Sequence, residues 1–152
     1  MNPVKAITQM AVVLRAIDGA SLGRNKALAE AQYPAEGKAP KYPGIALFLD
    51  PMQLQYMSTE QYWNFTVRGL LMSGLVTETS KIVQTIDPLF PLIVDAFAPT
   101  TEAFHLRMAD GDQVDTCAVT AIEPSQEIGY AGQTHYGAVI TWSIEMRRFR
   151  ND

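Results

Sequence analysis

The 152-residue chain is 47% hydrophobic and 18% charged, long enough to bury one core and too apolar to be disordered throughout. It has no run of eighteen apolar residues and no basic segment leading into an apolar leader, so neither a membrane span nor a secretion signal is expected. The net charge of -4 is uneven: residues 1–41 hold six Lys/Arg against three Asp/Glu, and residues 42–152 hold six against thirteen, which argues against a uniformly basic face for nucleic acid.

A single domain, 1–152, is expected, and with Cys117 the only cysteine it must be held by packing rather than by an intrachain disulfide. Asn2 and Pro3 suit a helix start, and Val4, Ile7, Ala11 and Leu14 recur at helical spacing, predicting an amphipathic helix over 3–17. Asp18-Gly19 ends it. Residues 18–42 then have weak periodicity, with helix formers confined to Lys26 to Gln32, and read as a long loop or arm. Ile45 to Leu49 reads as a short strand. Residues 52–60 show no firm period and are read as irregular or weakly extended.

Trp63, Phe65, Val67 and Leu71 alternate with polar residues, predicting a strand over 61–73 that pairs in a long hairpin with 45–49, with Gly69 marking a bulge or a close approach. A helical stripe from Ile82 to Phe97 predicts a helix over about 78–98, interrupted at Asp87-Pro88, so the firm part starts there, with Asp87 as cap. Residues 114–122 read as a strand and 124–135, containing Pro124 and two glycines, as a loop. The clearest pattern is the last. Ala138, Ile140, Trp142, Ile144 and Met146 fall on one side of an extended segment from Tyr136 to Arg148, and Thr141, Ser143, Glu145 and Arg147 on the other. At about 3.3 Å per residue such a strand is unusually long, and its ends are expected to leave the domain's own sheet. The fold class is therefore α+β: a mixed or mainly antiparallel sheet packed by two helices, with a long arm or loop after the first.

Three groups invite a chemical reading. Gly19-Ala20-Ser21-Leu22-Gly23 fits the spacing of a nucleophile elbow, but that motif needs a strand before and a helix after its serine, and here a helix comes first. Asp110-Gly111-Asp112-Gln113-Val114-Asp115 gathers three carboxylates, yet an EF-hand loop would need Gly at its sixth position and Glu at its twelfth, where Asp115 and Ala121 stand. A solvated acidic turn is the plainer reading. His105, His135 and Cys117 are too few and too scattered for a zinc centre. No metal or cofactor is expected. Arg147, Arg148 and Arg150 form a short basic tail suited to partner contact or solvation.

The order of elements, the helix-bearing TIDPLFPLIVDAFAP and the closing GYAGQTHYGAVITWSIEMRRF resemble the tail terminator family of long-tailed bacteriophages, the lambda-type minor tail proteins. The resemblance lies in the order and character of elements over most of the chain, not in fixed residues. It implies a structural virion protein of the tail and neck, assembled in the host cytoplasm without enzymatic chemistry. Such proteins form a ring, usually a hexamer, that ends tail-tube growth and joins the tube to the head-side connector or head-completion protein. DNA passes through without specific binding, and no membrane is involved. Neighbouring neck and tail-tube proteins share the fold and stay open as alternatives, as does a small hydrolase or metal-dependent enzyme using Ser21 or the Asp110 cluster, or a monomeric binding module. In a ring, inward carboxylates are multiplied by symmetry and repel phosphate. Asp110, Asp112 and Asp115 are therefore expected to face the lumen, with Arg147, Arg148 and Arg150 at subunit or partner contacts.

Overall fold

The computed structural model describes residues 3–33, 38, 40–56, 60–75, 86–97 and 113–149. In chain order these form α1 (Pro3–Arg15), a 3-10 turn (Ala20–Leu22), β1 (Glu30–Gln32), β2 (Gly44–Leu49), β3 (Gln53–Tyr56), β4 (Glu60–Leu75), α2 (Leu89–Ala96), β5 (Gln113–Tyr130) and β6 (Gln133–Phe149). The described strands make one mixed sheet in the order β1-β2-β4-β6-β5, with β3 also on β4. β1 runs parallel to β2 and the other pairs are antiparallel.

β6 pairs with β4 from His135 to Phe149 and with β5 from Gln133 to Arg147. Its ends therefore stay inside the sheet, contrary to the expectation from its length. The extra length is absorbed because β4 and β5 are equally long. Ala138, Ile140, Trp142, Ile144 and Met146 are all fully buried, as the alternation predicts. They join Ile45, Leu47, Phe65, Val67, Leu71 and Cys117 on one face of the sheet, where α1 and α2 cover them.

On α1 the buried stripe is Ala6, Ile7, Met10, Ala11 and Leu14, while Val4 lies outside it and is 45% exposed. On α2, Leu89 and Ile93 point into the core; the N-cap is Pro88 rather than Asp87, whose carbonyl instead accepts from Phe90 N–H at 3.3 Å. The part of the predicted helix from 78 to 85 lies outside the described residues.

Residues 18–33 are packed against the body and do not form an arm. Ala27, Leu28 and Ala31 are buried, and Arg15 at the end of α1 donates from Nε and Nη2 to the Ala31 carbonyl at 3.2 and 3.0 Å. Ala29 N–H reaches the Pro43 carbonyl at 2.8 Å, and β1 then adds to the edge of β2. The helix formers at Lys26 to Gln32 thus end in a strand, because the tertiary partners outweigh weak local propensity. β2 and β3 follow one another along the same edge of β4, opposite Val67 to Met72 and Gln61 to Asn64 respectively. The expected hairpin is present, with Asp50-Pro51-Met52 as a jog and the strand β3 within the stretch read as irregular or weakly extended.

Gly69 marks a close approach and not a bulge. A Cβ there would stand 2.7 Å from both Ile45 Cδ1 and Trp142 Cζ3, so the indole lies over the glycine.

Residues 124–135, expected as a loop, are mostly strand. β5 runs on to Tyr130 and turns back within two residues, Ala131 (φ 54) and Gly132 (φ 75), both left-handed as a type I′ turn requires. Pro124 is tolerated because it sits where the β5–β6 register shifts, between Glu123 and Gln126, so no ladder donor is needed from it.

Candidate functional site

Two surfaces result from this sheet, both on the face that α1 and α2 leave uncovered. The first is built by the far end of the β4–β6–β5 ribbon. At one level across the ribbon all three strands are irregular: β4 shifts register between Met72 and Gly74, β5 between Glu123 and Gln126, and β6 places Gly137 opposite Met72 and Gln126. A Cβ on Gly137 would collide with the Leu71 carbonyl, so only glycine lets the strands bend so closely here. Beyond that line the hairpin end curls over the uncovered face of β2. Ile128 and Tyr130 form a second apolar cluster with Ala46 and Met72, flanked by Phe48, Leu70 and Ala131, and the Tyr130 and Phe48 rings meet edge to face at 6.3 Å.

A chain of hydrogen bonds fastens this hairpin end. Tyr130 OH donates to Gln32 Oε1 at 2.7 Å, and Gln32 Nε2 donates to Glu30 Oε1 at 3.1 Å. The other Glu30 oxygen accepts from Lys41 N–H at 2.8 Å. His135, fully buried, lies 3.0 Å through Nε2 from the Tyr130 carbonyl and 2.8 Å through Nδ1 from Tyr42 OH. A carbonyl can only accept, so Nε2 carries a proton and donates to it, and Nδ1 shares the second hydrogen bond with the Tyr42 hydroxyl. Burial pushes the Tyr42 phenol up from its ordinary value. Burial also raises the Glu30 carboxyl, but the Lys41 N–H, the Gln32 amide and the charges of Lys38 and Lys41 outweigh it and hold the group below the ordinary glutamate range.

The second surface is the remainder of the same face, where Asn64 and Thr66 of β4, Thr141 and Ser143 of β6, and Thr116 and Ala118 of β5 lie side by side. Its charge is locally balanced: Arg68 Nε donates to Asp50 Oδ1 at 2.8 Å and Thr66 Oγ1 to Asp50 Oδ2 at 2.9 Å. An open hollow of about 240 Å³ lies beside Pro51, Gln53, Asn64, Thr66 and Ser143.

The residues singled out from sequence fall variously. Ser21 is exposed in the 3-10 turn after α1; Gly23 is its left-handed cap, and Gly19 faces the Lys26 backbone, where a Cβ would come within 2.5 Å. Both glycines thus serve the turn, and Asp18 accepts from Ala20 N–H at 3.0 Å to close it. Cys117 and His135 are not brought together: the thiol lies in the helix-covered core, pushed up to about 12 by burial and so not nucleophilic, while His135 lies on the opposite face. Asp115 stands in β5 at the register shift between Val114 and Thr116; Arg147 and Arg148 stand in β6 opposite Tyr62 and Gln61. Asp110, Asp112, His105 and Arg150 lie outside the described residues. Among the described residues, no three His, Cys, Asp or Glu side chains group as a metal site, and no helix is long and apolar enough to cross a membrane.

Sequence reasoning did not find the Tyr42–His135–Tyr130–Gln32 chain. Its members are up to 98 residues apart, and none sits in a local motif. No protein-family model matches the chain, and no curated protein matches it.

Proposed function

We propose that this chain is the ring-forming subunit of a tail terminator of a long-tailed bacteriophage, a structural virion protein and not an enzyme. The reading begins from the resemblance of TIDPLFPLIVDAFAP and GYAGQTHYGAVITWSIEMRRF to that family. The observation that carries it furthest is the β4–β6–β5 ribbon, whose strands of 16, 17 and 18 residues are sealed by helices on one face. On the other face, past the curled hairpin end, the described part of the ribbon shows hydroxyl and amide side chains, the exposed Glu145, Arg147 towards one end, and an Arg68 paired with Asp50. Among the described residues such a wall offers duplex DNA few cations to bind through counterion release. Asp115 stands near the start of β5, and Asp110 and Asp112 precede it in the sequence. In the proposed ring, a hexamer by family pattern alone, these carboxylates line or border the lumen, while Arg147, Arg148 and Arg150 serve contacts with a neighbouring subunit, the tail-tube protein or the head-side connector.

Light scattering and negative-stain images of the purified protein test the reading. A ring of several subunits with a central hole is the expected result, and Ser21→Ala is expected to leave its mass unchanged. A protein that stays monomeric at the highest soluble concentration, alone and with tail-tube protein, would overturn it.

A further inference from the structure

The outer surface of the helix layer carries an apolar patch that nothing in the chain covers. Among the described residues six large apolar side chains are exposed, and three of them, Val4 and Val12 of α1 and Val94 of α2, lie here. On α1, Val4, Thr8 and Val12 follow one another at four-residue spacing, which is the spacing of a ridge that packs into the groove of another helix. Thr8 adds little polarity to this row, because its hydroxyl donates back to the Val4 carbonyl at 2.8 Å. On α2, Asp95 is the only polar residue, and a helix apolar on nearly every side is ordinarily covered on every side. Leu89 and Ile93 account for the side against the sheet, while Pro91 and Val94 remain exposed.

Charge complementarity identifies the cover. α1 carries Lys5 and Arg15 and no acid, whereas α2 and the turn leading into it carry Asp87 and Asp95 and no base, and all four are exposed. At about 1.5 Å per residue the cations stand roughly 15 Å apart along α1 and the carboxylates roughly 12 Å apart along α2. Each helix is thus apolar between two like charges, and the sign on one is opposite to that on the other. The two helices cover the same face of the sheet and touch. A two-fold axis between them therefore sets α1 of one copy on α2 of the other and makes the match twice, as an isologous contact requires. Setting α1 on α1, or α2 on α2, would oppose like charges. We propose that the helix layer is a two-fold interface at which two copies of this chain pair back to back. The opposite face of the sheet stays free, so the pairing is independent of the ring contact proposed above.

Val12→Glu and Val12→Lys remove the same apolar contact and differ in sign, and because Val12 is exposed both leave the subunit folded, which circular dichroism checks. In analytical ultracentrifugation the parent is expected to show a particle of even subunit number that halves on dilution. Val12→Glu, set against the carboxylates of the partner's α2, should weaken that step about tenfold or more relative to Val12→Lys, and Val12→Glu/Asp95→Lys should recover it. A parent without a halving step, or glutamate and lysine variants that dissociate alike, overturns the pairing. A ring whose mass Val12→Glu leaves unchanged overturns the pairing and leaves the ring reading standing. A sign-dependent dimer that never grows further, alone or with tail-tube protein, supports the pairing and counts against the ring.

Discussion

Replacing Trp142 by alanine probes the centre of the main core. The indole is fully buried, meets the Phe97 ring edge to face at 5.5 Å, and lies against Gly69, which has no side chain to relax into the space left behind. Loss of a large aromatic from such a position costs about 3–5 kcal/mol, and for a chain of this length each kcal/mol lowers the melting temperature by roughly 2–4 °C. A fall of about 6–20 °C is therefore expected by circular dichroism or scanning calorimetry. Trp142 Nε1 is buried without a hydrogen-bond partner, a cost that phenylalanine removes. Trp142→Phe should accordingly be milder than Trp142→Ala. The Phe97→Ala/Trp142→Ala cycle should show a coupling of about 0.5–1.5 kcal/mol from the ring pair. An unchanged melting temperature for Trp142→Ala, or a phenylalanine variant worse than the alanine one, would refute the packing argument.

Three further perturbations address the hairpin end. Tyr130→Phe leaves Gln32 Oε1 buried without its donor and should cost about 1–3 kcal/mol in denaturant titration, with Gln32→Leu in the same background recovering part of it; a double variant no better than the single one would contradict the pairing. Glu30 has a folded pKa below its ordinary 4.5, so its contribution is complete above that value and lost as pH falls through the folded one; a melting temperature that drops on acidification below pH 4.5 in the parent should drop less in Glu30→Gln, and equal slopes would remove Glu30 from the account. Gly137→Ala drives a Cβ into the Leu71 carbonyl and should straighten the ribbon, seen as faster amide exchange at Tyr130 and Ile128; unchanged protection there would show that the bend does not need glycine.

How much of this was legible in the sequence depends on how regular each element is. α1 and the buried side of β6 were readable because their periods of 3.6 and 2 run unbroken, and one face of each is fully buried. β5 was readable only to Ile122. Its three register shifts, at Val114/Thr116, Val119/Ala121 and Glu123/Gln126, each reset the side-chain alternation, so a period-two reading loses phase and Pro124 looks like a stop. The turn at Ala131-Gly132 lacks the Asn-Gly or Asp-Gly pair that advertises a type I′ hairpin. β1 and β3, of three and four residues, are too short to show any period and exist because β2 and β4 present edges to them. The hydrogen-bond chain had no local signal at all, since its partners meet only after the ribbon has curled.

The same irregularities bear on how copies can meet. Among the described residues, β5, β1 and the four-residue β3 are the sheet's outer strands, and all are poor templates for simple ladder extension. β1 offers three residues, and β5 is interrupted three times and contains a proline, which are the usual devices by which an edge avoids adding a foreign strand. A continuous intersubunit ladder along β5 would have to bridge three changes of hydrogen-bond phase. The shift between Glu123 and Gln126 thus serves two ends: it discourages open-ended pairing along β5 and accompanies the curl that seats Ile128 and Tyr130 over β2. If the shift were removed by deleting one residue between Glu123 and Gln126, the reasoning expects a straighter β5, loss of the Tyr130–Gln32 bond and a tendency to disordered aggregates in place of a discrete oligomer. A deletion variant that assembled to the same discrete mass with unchanged protection at Tyr130 would separate edge protection from the curl and leave the bulge without the double role assigned to it.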